Sequence, residues 1–212
     1  MNLDTLKGAF AAISAVMGEN RNYLIELDQQ NGDGDLGISM SNGFAAVSEY
    51  LNSTAETDLG RLFMKCNSVF NENCASSLGT ILSFGLLGMA RALRGRAEAP
   101  LGMLAGAMQA GVELIMEKAK SKPGEKTILD ALCPAIEALK SNSGKSPAEA
   151  FKAAAEAAAA GSESTRNMRS VHGRAAYYGD KSMGVLDGGS VAGKLIFEGI
   201  CNFISTANSN AG

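Results

Sequence analysis

One histidine, His172, and no tryptophan stand in a chain of 212 residues. That scarcity leaves Ser-His-Asp and Cys-His catalysis little material, and a phosphohistidine relay would have to rest on His172 alone. Its setting, RSVHGRAAYYG, suits a ring that positions a loop. A basic surplus is also missing. Nineteen Lys and Arg against 22 Asp and Glu give a net charge of −3, and no basic cluster is interleaved with aromatics. Nucleic acid is therefore not an expected partner, and any polyanion must be captured locally. Cys66, Cys74, Cys133 and Cys201 form no CxxC pair and have no second histidine nearby. They read as reduced structural thiols, as expected of a cytoplasmic protein. The opening MNLDTLKGAF has an early acid and no basic-then-apolar pattern, so no signal peptide is expected. The most apolar run, SSLGTILSFGLLGMARAL, is interrupted by glycines and bounded by Arg91 and Arg94, which fits a buried helix better than a membrane span. Strand alternation and a fixed internal repeat are absent as well.

What is present is helical period in an ordered, globular composition, 46% hydrophobic and 19% charged. Leu3, Leu6, Phe10, Ile13 and Met17 recur at three and four, and the pattern resumes at Leu24 and Leu27. A second helix is expected from about residue 35 to Leu51, a third near Thr57 to Asn73, and a fourth from Ser76 to about Leu93. Pro100 suits the first turn of a fifth, and KPGEKT leads into a sixth. Ser146-Pro147 caps an alanine-rich seventh, and an eighth spans Ser190 to Ile204. Residues 170–190, SVHGRAAYYGDKSMGVLDGGS, form a glycine-punctuated stretch without period, and its Arg, Tyr and Asp content favours a functional loop. The expectation is an all-α chain, one domain over residues 1–212, with about eight helices turned inward as a bundle or closed helical barrel.

Acid and glycine concentrate in one place. LDQQNGDGDLGISMSNGF, residues 27–44, sets Asp28, Asp33 and Asp35 among Gly32, Gly34 and Gly37. A solvated turn with Asp35 as a helix N-cap is the plain reading. Against it stands the third acid, Asp28, which the glycines allow to converge on the other two. A calcium hand fails: a loop starting at Asn31 puts Leu36 at the glycine position and Asn42 where a bidentate Glu belongs. Three carboxylates against two Mg²⁺ ions leave one positive charge, which a di- or triphosphate completes. A helix beginning at Asp35 adds a positive dipole end and free amides. NCASSLGT, residues 73–80, offers small residues and amides at another helix start. Arg174 supplies a guanidinium for phosphate, and LDGGS at Asp187 supplies a turn for close backbone approach. GGSVAGKL imitates a P-loop but ends in Leu195, which has no hydroxyl for Mg²⁺, and no strand precedes it.

Five segments in order, LDQQNGDGDLGISM, CASSLGT, KPGEKTILDAL, HGRAAYYGDKSMG and LDGGS, resemble the nucleotide-binding L subunits of dihydroxyacetone kinases, and the resemblance runs from about residue 3 to 207. It implies an eight-helix antiparallel barrel binding ADP or ATP at one rim through two Mg²⁺ ions held by Asp28, Asp33 and Asp35. It further implies nucleotide contacts at Leu36, Gly37, Ile38 and Ser39, at Ala75 and Ser76, and at Ala119, Ile128, Arg174, Asp187, Gly188 and Gly189. Lys126 and Thr127 lie in the matching GEKT segment. The family usually has His where this chain has Leu36, Gly at Ala119 and Ser77, and Pro at Gly188. The acceptor sugar would sit on a separate K-type subunit, and a phosphohistidine carrier would rephosphorylate bound ADP. In this reading the three aspartates and Arg174 carry the phosphoryl transfer. Alternatives are an ATP-dependent kinase for another small ketose, or a nucleotide-sensing partner of a transcription regulator. Fatty-acid kinase nucleotide domains share a similar acidic loop but usually belong to longer chains.

Overall fold

Local capping chemistry sets where the helices begin. The computed structural model describes residues 1–209. Helix α1 (Leu3–Glu19) starts at Asn2, whose side chain accepts from the Thr5 amide at 3.1 Å while the Thr5 hydroxyl accepts from the Asn2 amide at 2.7 Å. Ser146 and Glu149 make the same reciprocal pair ahead of α8 (Pro147–Ser164). Asp58 caps α4 (Leu59–Asn73) through the Arg61 amide at 3.0 Å, and its other oxygen takes the Gly95 amide at 2.9 Å. That second bond ties the start of α4 to the chain leaving α5 (Ser77–Ala92). The remaining helices are α2 (Arg21–Asp28), α3 (Leu36–Ser53), α6 (Leu101–Ala119), α7 (Leu129–Ser141) and α9 (Gly188–Ser209). No strand occurs among the described residues.

Contacts run from α1 to α3, then in chain order through α4, α5, α6, α7, α8 and α9, and close from α9 back to α1. This is a ring of eight, as expected. The described residues nevertheless contain nine α-helices, because the first expected helix breaks at Asn20 into α1 and α2. The Asn20 side chain donates to the Val16 carbonyl at 2.9 Å, and the backbone there leaves the helical region at φ −96°, ψ 9°. Residues 170–187 are also not plain loop: Arg174–Ser182 is wound into short 3-10 turns, kinked at Gly179.

Alternation around an even ring has a consequence for the site. Gly85 packs on Ile115 and Gly88 on Gly111, which makes α5 and α6 antiparallel and sets Ala119 beside the first turn of α5. Applied around the ring, alternation brings the N-termini of α3, α5, α7 and α9 to one rim. Four positive dipole ends then share that rim. The interior is apolar, and Phe10, Phe44, Phe63, Phe70 and Phe197 line a partly open cavity of about 270 Å³ there. No described helix is long and apolar enough to cross a membrane.

Helices approach closely where side chains are missing. Pro134 inside α7 has no N–H, so the Asp130 carbonyl loses its helical partner, and Gly161 of α8 faces that carbonyl directly. A Cβ at Gly161 would overlap the Asp130 oxygen and come within 2.8 Å of the Pro134 ring. At Gly8 of α1 the nearest atoms a Cβ would meet belong to the Phe203 ring, which can rotate. Gly161→Ala is therefore expected to destabilise by about 1–3 kcal/mol. For Gly8→Ala the change stays within roughly 1 kcal/mol, because gained helix propensity offsets the ring's shift. Urea unfolding midpoints of the two variants check the contrast.

Candidate functional site

The acidic turn is built on Asp28, the last residue of α2. Its carbonyl accepts from the Gly32 amide at 2.5 Å, and its carboxylate accepts from the Gly34 amide at 2.8 Å. Gly34 sits at φ +79°, a left-handed position that suits glycine. The chain folds back over Asp28 and delivers Asp35 to the N-cap position of α3. There Asp35 makes no side-chain capping bond, which the plain reading of the turn requires. Its carboxylate is left to the cluster. One ligand oxygen each from Asp28, Asp33 and Asp35 can be chosen so that all lie within 4.8 Å of one another.

Electrostatics describe the strain of that arrangement. Burial first, then the neighbouring charges of Asp33 and Asp28, push the Asp35 carboxyl above its ordinary range, and Arg174 partly offsets this. Arg174 reaches in from the 170s segment, its Nη2 lying 2.9 Å from Asp33 Oδ2. Both side chains are well exposed, so the pair contributes at most about 1 kcal/mol. One guanidinium against three carboxylates leaves the cluster anionic. Hard, closely spaced oxygens with surplus negative charge fit Mg²⁺, and the residues present suit that ion.

Other expected site residues gather at the same rim. Ser76 caps α5 by accepting from the Gly79 amide at 3.1 Å, and its hydroxyl lies 3.7 Å from the Cys74 thiol. Gly188 packs on Leu36, where a Cβ would lie 2.6 Å from the leucine Cδ2, and Gly189 faces Ile128. Leu36 and Ile128 are buried, at 6% and 2% exposure, and their side chains belong to the core. Ile38 and Ala75 are exposed. The GGSVAGKL imitation forms the start of α9 with Lys194 near Glu198, not a phosphate loop. His172 Nε2 donates to Glu125 Oε2 at 2.6 Å, which links the 170s segment to the turn before α7.

Two contributors escaped the sequence reading. Asp130 is buried and accepts from the Gly124 amide at 2.5 Å and the Thr127 amide at 2.7 Å, which shapes the GEKT turn. Thr165 accepts from the Asp187 amide at 3.1 Å. An acid in the first turn of α7 was the available signal for Asp130; nothing local marks Thr165.

Asp187 accepts from the Ser190 amide at 2.6 Å at the head of α9. The residue keeps some solvent exposure, yet protein packed around its carboxyl pushes it up to about 7, chiefly through burial, with Asp130 and Asp28 adding to the rise. In the unfolded chain an Asp ionises near ~3.9. Between those values the folded protein holds a proton that the unfolded chain has released. Stability of the metal-free protein is therefore expected to fall as pH rises from about 4 to about 7, then level off. Asp187→Asn, which retains an acceptor for Ser190, should flatten that slope. Urea titrations between pH 5 and 8 measure it.

Geometry and fold define an all-α barrel whose acidic rim is shaped for a hard cation beside several helix N-termini. A family model described as the DAK2 domain matches residues 30–202. The ADP-binding subunit DhaL of the PEP-dependent dihydroxyacetone kinase of Escherichia coli is 30% identical over 172 residues, 80% of this chain and 82% of that protein. A Listeria innocua counterpart, from PEP-dependent dihydroxyacetone kinase 2, is 28% identical and covers 92% of both chains. The crystal structure of the C. freundii dihydroxyacetone kinase in complex with AMP-PNP and Mg²⁺ matches with a TM-score of 0.75 at 22% identity, over 92% of this chain and 33% of that one. The chain thus spans a third of that kinase. It belongs to the DAK2 domain family, among subunits of the DhaL type.

Proposed function

We propose that this chain is the ADP- or ATP-binding L subunit of a dihydroxyacetone or related ketose kinase. The observation that carries the reading is the convergence of Asp28, Asp33 and Asp35 within 4.8 Å on a rim where four helices begin. Relatives in the same family are ADP-binding subunits of PEP-dependent dihydroxyacetone kinases. Two Mg²⁺ ions would be held by the three aspartates and supply charge neutralisation at phosphate oxygens. Main-chain amides from Leu36 to Ser39 and at Ala75 and Ser76 face the phosphates, adding the dipole ends of α3 and α5. Ala119, Ile128 and the turn Asp187-Gly188-Gly189 border the nucleotide. Arg174 moves from Asp33 to the transferring phosphoryl group, where a planar donor stabilises spread negative charge.

The acceptor ketose sits on a K-type subunit that docks over this rim, and a phosphohistidine carrier restores the bound ADP. Positioning and electrostatics account for the catalysis, with no covalent step on this chain. The test begins with the purified protein, desalted and assayed for nucleotide and magnesium. ADP near one per chain is the expected result. Reconstitution with a K-type subunit and several ketoses then compares the phosphorylated carrier with ATP as donor. A protein that neither retains nor binds magnesium nucleotide removes the reading altogether; ready exchange with ATP replaces the carrier-coupled version by the ATP-dependent one.

A further inference from the structure

Lys126 is 4% exposed, and its ammonium has no need of a carboxylate. Its four partners are main-chain carbonyls: Thr165 at 2.8 Å, Met168 at 3.2 Å, Ser182 at 2.7 Å and Val185 at 2.6 Å. Three N–H groups thus serve four main-chain acceptors. A buried ammonium survives only when so satisfied, since desolvation opposes its charge. Its backbone is bent to deliver it: Lys126 lies at φ +60°, unusual for a residue with a side chain.

The positions of the acceptors are informative. Thr165 and Met168 lie where the chain leaves α8, and Ser182 and Val185 where it returns toward α9. The ammonium therefore closes the neck of the segment between them. That segment carries Arg174, and Asp187 follows directly after the neck. Neighbouring cross-ties, among them Gly184 amide to Arg166 carbonyl at 2.7 Å, Arg166 Nη1 to Gly184 carbonyl at 3.0 Å, Ser170 amide to Ser182 hydroxyl at 3.0 Å and Asp187 amide to Thr165 hydroxyl at 3.1 Å, need the two ends already side by side.

We infer that Lys126 is a positioning residue of the proposed nucleotide site, clasping residues 165–185 so that Arg174 and Asp187 are held at the acidic rim. The inference rests on the nucleotide-binding reading above. Lys126 touches no substrate in this account; it acts through Arg174.

The test compares Lys126→Met, which keeps the length and removes the donors, with Arg174→Ala and the double variant. Magnesium ADP affinity is read by calorimetry and loop order by hydrogen exchange. Lys126→Met is expected to keep its helical circular dichroism while exchange across residues 171–185 speeds by about tenfold or more. Its magnesium ADP affinity falls by roughly tenfold, and adding Arg174→Ala then changes affinity little, because the arginine has already lost its place. Fully additive losses, unchanged loop exchange, or collapse of the whole helical signal would each overturn the inference. If the unaltered protein binds no magnesium ADP, the kinase reading fails instead, and the exchange measurement alone decides whether the clasp exists.

Discussion

Asp33→Asn is expected to abolish magnesium-dependent nucleotide retention while leaving the metal-free fold as stable as before, or slightly more so. The two halves of that result have one cause. Asp28, Asp33 and Asp35 repel each other, and Asp33 is among the charges that hold the Asp35 carboxyl above its ordinary range. Removing one negative charge relieves the other two. Among the described residues, the pairing surrendered is with Arg174, an exposed contact of small worth. With metal the sign reverses, because the cations lose a directly coordinating oxygen. Changes to groups one step removed from a metal already lower affinity by 10–100-fold, so losing a ligand should exceed about 100-fold. Calorimetric titration with magnesium and ADP measures the loss, and thermal melts in chelator measure the metal-free stability. Affinity unchanged by Asp33→Asn would sink the metal site and with it the proposed function. A variant that binds poorly because it melts early would implicate the fold, and the chelator melts separate the two.

What could be read beforehand follows the reach of each interaction. The three aspartates stand within eight residues of one another, so a short turn and its glycines suffice to bring them together. The Ser146 cap was legible for the same reason, since Ser146 and Glu149 find each other within one turn. The count of about eight helices followed from apolar period, whereas the closed barrel and the DhaL-type membership followed from the resemblance in motif order. Asn20 was missed because apolar residues continue at Leu24 and Leu27 as if the helix had not broken. Period reports which face is buried and is blind to a polar side chain that competes for a carbonyl. The 3-10 turns of residues 174–182 carry no period because their organiser is remote: Lys126 reaches carbonyls 39 to 59 positions away. Arg174 was readable as a phosphate donor, but its present partner, Asp33, was not.

The same logic singles out Gly37, where the site and the packing are one problem. Helix α3 passes over the start of α2 at this residue, and a Cβ there would overlap the Arg21 carbonyl oxygen and lie 2.9 Å from Ile25 Cγ1. A backbone oxygen cannot rotate aside as a ring can. Gly37→Ala must therefore separate the two helices, at an expected loss of about 1–3 kcal/mol. Asp28 ends α2 and Asp35 precedes α3, so the separation widens the gap between two of the three carboxylates. Magnesium nucleotide affinity should fall although every acidic side chain remains, and at least ~10-fold is expected from a displacement of this kind. Combining Gly37→Ala with Asp33→Asn should add to the stability loss of the first but add little to the affinity loss of the second, since one intact ligand set is already gone. Urea midpoints and calorimetry on the three variants supply both readings. Should Gly37→Ala bind magnesium nucleotide as tightly as the unaltered chain, then the spacing of α2 and α3 does not set the spacing of the acids, and the turn between them holds its shape unaided.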